Sequence, residues 1–261
     1  MSETGWLKLF SRRLLKWIEF AVNWLKGREP LVLVFFLILA GATWAFIELT
    51  DEVLEQETQA FDKWVIRSMR RADDPSVPIG PPWAQEMGRD LTALGGVATL
   101  VFFTTVVAGY LWIEGKKRVI LLLLFASLGG LLLSSALKHF ISRPRPDVVP
   151  HLSYVYTSSF PSGHSMLSAV IYLTLGALLA SVIQRTRVKI YVLCVALLLT
   201  LLIGLSRIYL GVHYPTDVIA GWTAGLAWAL FCWILARWLQ QRHRIEDASP
   251  TSESAAADSE I

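Results

Sequence analysis

The chain has 261 residues, of which 54% are hydrophobic and only 17% charged. Soluble domains carry charge on about a quarter of their residues, so this composition excludes an ordinary one. A net charge of +3 provides no basic surface of the kind that nucleic acid selects. Several apolar runs approach the roughly 20 residues that cross a bilayer, which points to an all-α, polytopic membrane protein. Cys194 and Cys232 fall in apolar runs with neither metal nor disulfide spacing and read as buried helix residues. There is no internal repeat.

Residues 1–29 are amphipathic. Leu7, Phe10, Leu14, Trp17, Ile18, Ala21 and Leu25 recur at helical spacing, and Lys8, Arg12, Arg13, Lys16 and Lys26 take the opposite side. That pattern predicts a helix lying in the headgroup layer, or one packed on a partner protein. Residues 31–49 are the first predicted span. Ala40-Gly41-Ala42 hints at a cleavage site, but the polar stretch before it is too long for a usual signal peptide and the apolar run continues past it, so the helix is expected to be retained. Residues 50–90 read as an outer-face insertion. Phe61, Trp64, Val65 and Met69 have helical spacing, and the charges read as a solvated face with no chemistry assigned.

Five more spans are predicted at 91–112, 119–137, 165–183, 190–205 and 218–236. The expected architecture is a six-helix transmembrane bundle over residues 30–237, preceded by the amphipathic helix and followed by a disordered cytoplasmic tail at 238–261. Basic residues set the orientation. The N-terminal cluster, Lys116-Lys117-Arg118, Arg185/Arg187/Lys189 and Arg237/Arg242/Arg244 all fall on one side of a six-span chain, which predicts cytoplasmic termini. Lys138, Arg143, Arg145 and Arg207 then lie on the outer side. They run against the orientation rule, so topology does not account for them.

Three outward segments carry polar groups at the ends of apolar helices: 138–146, 161–164 and 206–217. Ser162 is a natural N-cap, and a helix starting at Gly163 offers free N–H groups and a positive dipole end to an anion. His164 stands beside that place with a pKa suited to proton transfer. His213 and Asp217 are four apart, so the carboxylate can take one imidazole proton and leave the other nitrogen nucleophilic. Lys138, Arg145 and Arg207 supply positive charge. Each fragment has a plainer account when taken alone: a capped turn, a structural His–Asp bond, or lysine snorkelling to headgroups.

Together the segments read Lys138-x6-Arg145-Pro146, Pro161-Ser162-Gly163-His164 and Ser206-Arg207-x5-His213-x3-Asp217. In that order they resemble the three signature motifs of the type 2 phosphatidic acid phosphatase family. Its superfamily also includes bacterial acid phosphatases, glucose-6-phosphatases and vanadium haloperoxidases. The resemblance covers residues 91–236. It implies hydrolysis through a phosphohistidine with no metal and no other cofactor. His213 would be the nucleophile, Asp217 its orienter and His164 the general acid, while Lys138, Arg145, Ser162, Gly163 and Arg207 would hold the phosphate. The spacing from Lys138 selects Arg145, which leaves Arg143 to touch headgroups. His139 and His151 read as loop residues.

Six spans make the chain similar to the bacterial lipid phosphatases of the inner membrane, with the site at the periplasmic face. The implied substrate is a lipid phosphate or pyrophosphate in the bilayer: undecaprenyl pyrophosphate, phosphatidylglycerophosphate, phosphatidic acid or a lipid A phosphate. A lipid phosphotransferase using the same site, or a non-catalytic anion-binding or transport protein, are the alternatives. Haloperoxidase chemistry ranks below these because the site lies beside lipid.

Overall fold

A computed structural model describes residues 30–153 and 157–247. The expected amphipathic segment 1–29 and the end of the expected tail, 248–261, lie outside the described residues. Those residues form eight helices and no strand: α1 Pro30–Leu54, α2 Gln59–Ser68, α3 Pro82–Leu94, α4 Val97–Ile113, α5 Lys117–Phe140, α6 Gly163–Val182, α7 Thr186–Tyr209 and α8 Pro215–Asp247. A single antiparallel bridge pairs Arg70 with Pro78. The chain divides into two compact units, 1–38 and 39–261. Of the first unit, the opening turns of α1 are described, and they are helical. The site belongs to the second.

Among the described residues, five helices are long and apolar enough to cross a membrane, and six spans result if α3 and α4 count as one bent by 48°. The second predicted span, 91–112, is therefore not a single straight helix. Gly95-Gly96 interrupts it, because two adjacent glycines hold helical geometry poorly. Large apolar side chains cover the outside of the bundle. Phe102, Val106, Leu121, Leu128, Leu132 and Leu198 are all exposed. Helices satisfy their own backbone groups, so such a surface suits hydrocarbon and not water. Cys194, expected to be buried, is exposed on this surface, whereas Cys232 is buried as expected. α8 continues as helix to Asp247, past Arg237 where the charged tail was expected to start.

α6 is the central element and packs on α4, α5, α7 and α8. Between helices in lipid, tight packing replaces the hydrophobic drive, and small residues permit it. Two glycines of α8 face the start of α6. A Cβ at Gly221 would stand 2.7 Å from the Ser162 carbonyl oxygen, and one at Gly225 would stand 2.5 Å from that of Met166. Tryptophans lock the other contacts. Trp222 Nε1 donates to the Thr200 carbonyl of α7, and Trp228 Nε1 to the Ala126 carbonyl of α5. The α6–α8 contact fixes the start of α6 against the second and third turns of α8, and the first turns of both helices carry site residues.

Gly225→Ala forces apart two backbones with no flexible side chain to yield. We expect a loss of about 1–3 kcal/mol, the usual cost of overpacking. The thermal midpoint of purified protein in detergent should fall; an unchanged midpoint would mean the α6–α8 contact is looser than described.

Candidate active site

The first turn of α8 explains where Asp217 points. Pro215 opens the helix, a position that needs no N–H and suits a fixed φ. Asp217 is then the third helical residue, and its Oδ2 reaches back to accept from Tyr214 N–H at 2.8 Å. This is half of a capping box, satisfying an orphan amide with a carboxylate at the positive end of the helix. Asp217 is fully buried and also accepts from Ser159 Oγ, and from Arg143 Nη1 at 2.6 Å.

His213 sits just before this turn and is 2% exposed. Its Nδ1 lies 3.5 Å from Asp217 Oδ2 and 3.4 Å from Ser159 Oγ. Its Nε2 lies 3.2 Å from Arg145 Nη1. A guanidinium only donates, so Nε2 carries the lone pair and the ring proton is assigned to Nδ1 on the Asp217 side. Burial pushes the imidazole pKa down to about 3, against the upward pull of Asp217 and with the help of Arg145 and Arg207. The ring is therefore neutral at any physiological pH, with a free nitrogen facing the cations.

Around it stand the other predicted residues. Arg145 is anchored on the loop before α6 and the turn before α8, donating to the carbonyls of Thr157 at 2.8 Å and Val212 at 2.7 Å. Lys138, in the last turn of α5, donates from Nζ to the Ser158 carbonyl at 2.8 Å. It also lies over Gly163, where an added Cβ would stand 3.4 Å from Lys138 Cε. Arg207, in the last turn of α7, is 3% exposed and donates from Nη1 to Thr92 Oγ1 at 2.7 Å. Its Nε is buried with no protein partner. His164 lies within electrostatic reach of Lys138, Arg145, Arg207 and His213. Gly95 lies close to it: a Cβ there would collide with the Ile203 side chain and stand 3.3 Å from the imidazole.

The start of α6 differs in detail from expectation. Ser162 is the N-cap, and its Oγ is engaged by Ser165. Its own amide donates to the Asp217 carbonyl at 2.9 Å. The amides left for an anion are those of Gly163 and His164, so the nest is shifted one residue along from Ser162-Gly163. Ser162 contributes by fixing this helix start against α8. Beside Arg145 opens a cleft of about 380 Å³. Val53, Leu54, Ile141, Gln59, Lys63 and Tyr214 are among the residues that line it, whereas His213, His164, Lys138 and Arg207 are not.

The sequence profile of the PAP2 superfamily matches residues 119–241. The chain is 32% identical over 196 residues to phosphatidylglycerophosphatase B of Bacillus subtilis, covering 74% of this chain and 87% of that protein. The chain belongs to the PAP2 superfamily. It is 29% identical over 175 residues to the lipid A 1-phosphatase of Rhizobium etli, covering 57% of this chain and 71% of that one. Its fold resembles the crystal structure of a transmembrane PAP2 type phosphatidylglycerolphosphate phosphatase from Bacillus subtilis. The TM-score is 0.68 at 27% identity, covering 78% of this chain and 96% of that one. This is a membrane phosphatase of the PAP2 type, and its place is among lipid phosphatases.

Several groups at the PAP2 site were not expected. Arg143 does not reach headgroups. Its side chain is 11% exposed, ion-paired with Asp62 at 2.7 Å and Asp217 at 2.6 Å, and lies 4.4 Å from the centre of the Tyr214 ring. Burial alone would lower its pKa; Asp217 and Asp62 outweigh that and raise it. Segment 50–90 is not merely a solvated face, since Asp62 and Arg70 are buried; just beyond it, Thr92 anchors Arg207. Arg70 donates to the Tyr209 carbonyl at 2.9 Å and so ties this segment to the turn before His213. His139 is in the last turn of α5 and not in a loop; His151 is in a loop. Ser159 also had no sequence signal beyond lying near the Pro-Ser-Gly-His run. Among the described residues, no three His, Cys, Asp or Glu side chains cluster as a metal site would need.

Two expectations follow for solution work. An imidazole takes a proton near pH 6.5 when unfolded, but in the fold His213 does so only near pH 3. Protons between those values bind the unfolded chain preferentially, so stability falls as pH drops through that window and is complete above it. From pH 7 to 5 the thermal midpoint should therefore drop more steeply for wild type than for His213→Gln; equal slopes would mean the imidazole is not buried neutral. Thr92→Val strips Arg207 of its anchor and leaves a buried donor unpaired, so we expect a weakened inhibition constant for inorganic phosphate together with a lower thermal midpoint.

Proposed function

We propose that this PAP2 protein hydrolyses the phosphate ester or pyrophosphate of a membrane lipid through a covalent phosphohistidine on His213. The observation that carries the reading is the environment of His213. It has a buried neutral imidazole, a lone pair on Nε2 beside Arg145, and its other nitrogen on the side of Asp217.

In the first step Nε2 attacks phosphorus, and the bond from phosphorus to the leaving oxygen breaks. The leaving oxygen takes a proton from His164, whose imidazolium form the anionic phosphate favours once it is bound among these groups, and departs as the lipid alcohol, or as a lipid phosphate when the substrate is a pyrophosphate. The imidazole of His213 becomes cationic, and Asp217 stabilises it, as the orienting acid of a Ser-His-Asp triad does. Lys138, Arg145, Arg207 and the amides of Gly163 and His164 neutralise the equatorial oxygens, which is where charge must be met in phosphoryl transfer. In the second step a water attacks phosphorus and gives a proton to His164. The N–P bond breaks, inorganic phosphate leaves, and the lone pair returns to Nε2.

The apolar outer surface of the bundle supports a lipid substrate, because the tails can stay in the bilayer while the headgroup meets the cations at the helix ends. We take phosphatidylglycerophosphate as the first substrate to try, given the likeness to a phosphatidylglycerophosphatase. Phosphatidic acid, undecaprenyl pyrophosphate and lipid A phosphate are the others. We place the site at the periplasmic face of a bacterial inner membrane with both termini cytoplasmic, which the basic residues of the short loops support.

Protein purified in detergent with EDTA present should release phosphate from at least one of these lipids. His213→Ala should abolish release. Asp217→Asn should approach the roughly 10⁴-fold loss that follows the same change in a Ser-His-Asp triad. Acid-labile, alkali-stable phosphate should be trapped on the wild type by rapid quenching and be absent from His213→Ala. No release from any of the four lipids by folded protein would overturn the proposal.

A further inference from the structure

Asp62 lies in α2, outside residues 119–241 where the family profile matches. It is 0% exposed. A buried carboxylate without partners is strongly destabilising, so its partners define why it is there. Oδ1 accepts from the backbone N–H of Thr216 at 3.1 Å. Oδ2 accepts from Thr216 Oγ1 at 2.7 Å and from Arg143 Nη2 at 2.7 Å. Thr216 is the second residue of α8, so Asp62 caps an orphan amide of the very helix turn that presents Asp217. Arg143 completes a ring. Its Nη1 donates to Thr216 Oγ1 at 2.8 Å and to Asp217 Oδ1 at 2.6 Å. A guanidinium is planar and its two ends are rigidly related, so fixing Nη2 on Asp62 fixes Nη1 on Asp217.

We propose that Asp62 is a positioning residue of the active site: through Arg143 and the first turn of α8 it holds Asp217 in the orientation that presents His213 for attack. Asp62 touches no reacting atom. Its effect passes through Oδ1 of Asp217, which leaves Oδ2 for Tyr214 N–H, Ser159 and the imidazole. The inference rests on His213 being the nucleophile. It makes α2, a helix beyond the family's matched region, part of the catalytic framework.

Asp62→Asn tests it. The amide keeps one oxygen for Thr216 N–H but turns N–H donors toward Arg143 Nη2, where donor meets donor. Turnover of dioctanoyl phosphatidic acid in detergent should fall by about 10²-fold, the scale of a misplacement of about 1 Å at the reacting group. KM and inhibition by inorganic phosphate should stay unchanged, because the cations that hold phosphate are elsewhere. The double variant Asp62→Asn/Arg143→Lys should be no slower than the slower single variant, since both changes break one ring.

Should Asp62→Asn fail to fold, Asp62→Glu keeps the charge, lengthens the reach, and should lower kcat alone. Wild-type kcat in a folded Asp62 variant overturns the inference, as do kcat and KM lost together or losses that multiply in the double variant. Wild type inactive on every lipid instead removes the phosphatase reading, and this inference with it.

Discussion

A carboxylate buried to nothing must be met on every side, and Asp217 is. A helix amide, a serine hydroxyl and an arginine surround it, with the imidazole of His213 beside them. The partners come from two stretches of chain far apart in sequence. The amide is that of Tyr214, just before α8, and the arginine and the hydroxyl come from the two ends of the loop between α5 and α6. The Asp217 carbonyl binds the Ser162 amide as well, so the residue joins two helix starts through both its side chain and its backbone. Low dielectric makes such a network costly to leave half-satisfied, and that cost is what gives it a single arrangement. The geometry of His213 is a by-product of that one requirement.

The bundle around it obeys a different solvent. Its outer surface is apolar and its inner contacts rest on glycine, alanine and buried tryptophan N–H groups. Polar groups concentrate at one end, where α5 and α7 finish and α6 and α8 begin. Two helix ends supply Lys138 and Arg207 in their last turns; two helix beginnings supply amides and carboxylate. The same dipole logic therefore serves twice. Cations sit favourably at carbonyl ends, and anion-binding groups sit at amide ends.

Much of this was legible in the chain. The apolar runs marked the spans, and the spacing of His213 and Asp217 gave their pairing, since four residues place both on one side of a helix start. Lys138, Arg145, Arg207, Gly163 and His164 were recognisable because charges and a helix-capping turn stood where the orientation rule did not want them. What was not legible was pairing across distance. Asp62 and Thr92 have ordinary neighbours in sequence, and only folding brings them to Arg143 and Arg207. Arg143 was assigned to headgroups because the motif spacing already had its arginine; the sequence has no mark for a second carboxylate waiting 81 residues away. Ser162 was read as an anion donor because an N-cap usually leaves its neighbourhood free, whereas here α8 packs close enough to use its amide.

The break at Gly95-Gly96 divides one membrane crossing into two pieces with separate duties. α3 holds Arg207 through Thr92, while α4 presents Val101, Phe102 and Val106 to the surroundings of the bundle. The Leu94 carbonyl at the break is taken by the Tyr172 hydroxyl of α6, so the joint is pinned to the central helix. On one side of this fixed joint Thr92 meets Arg207, and on the other Val101, Phe102 and Val106 meet the bilayer.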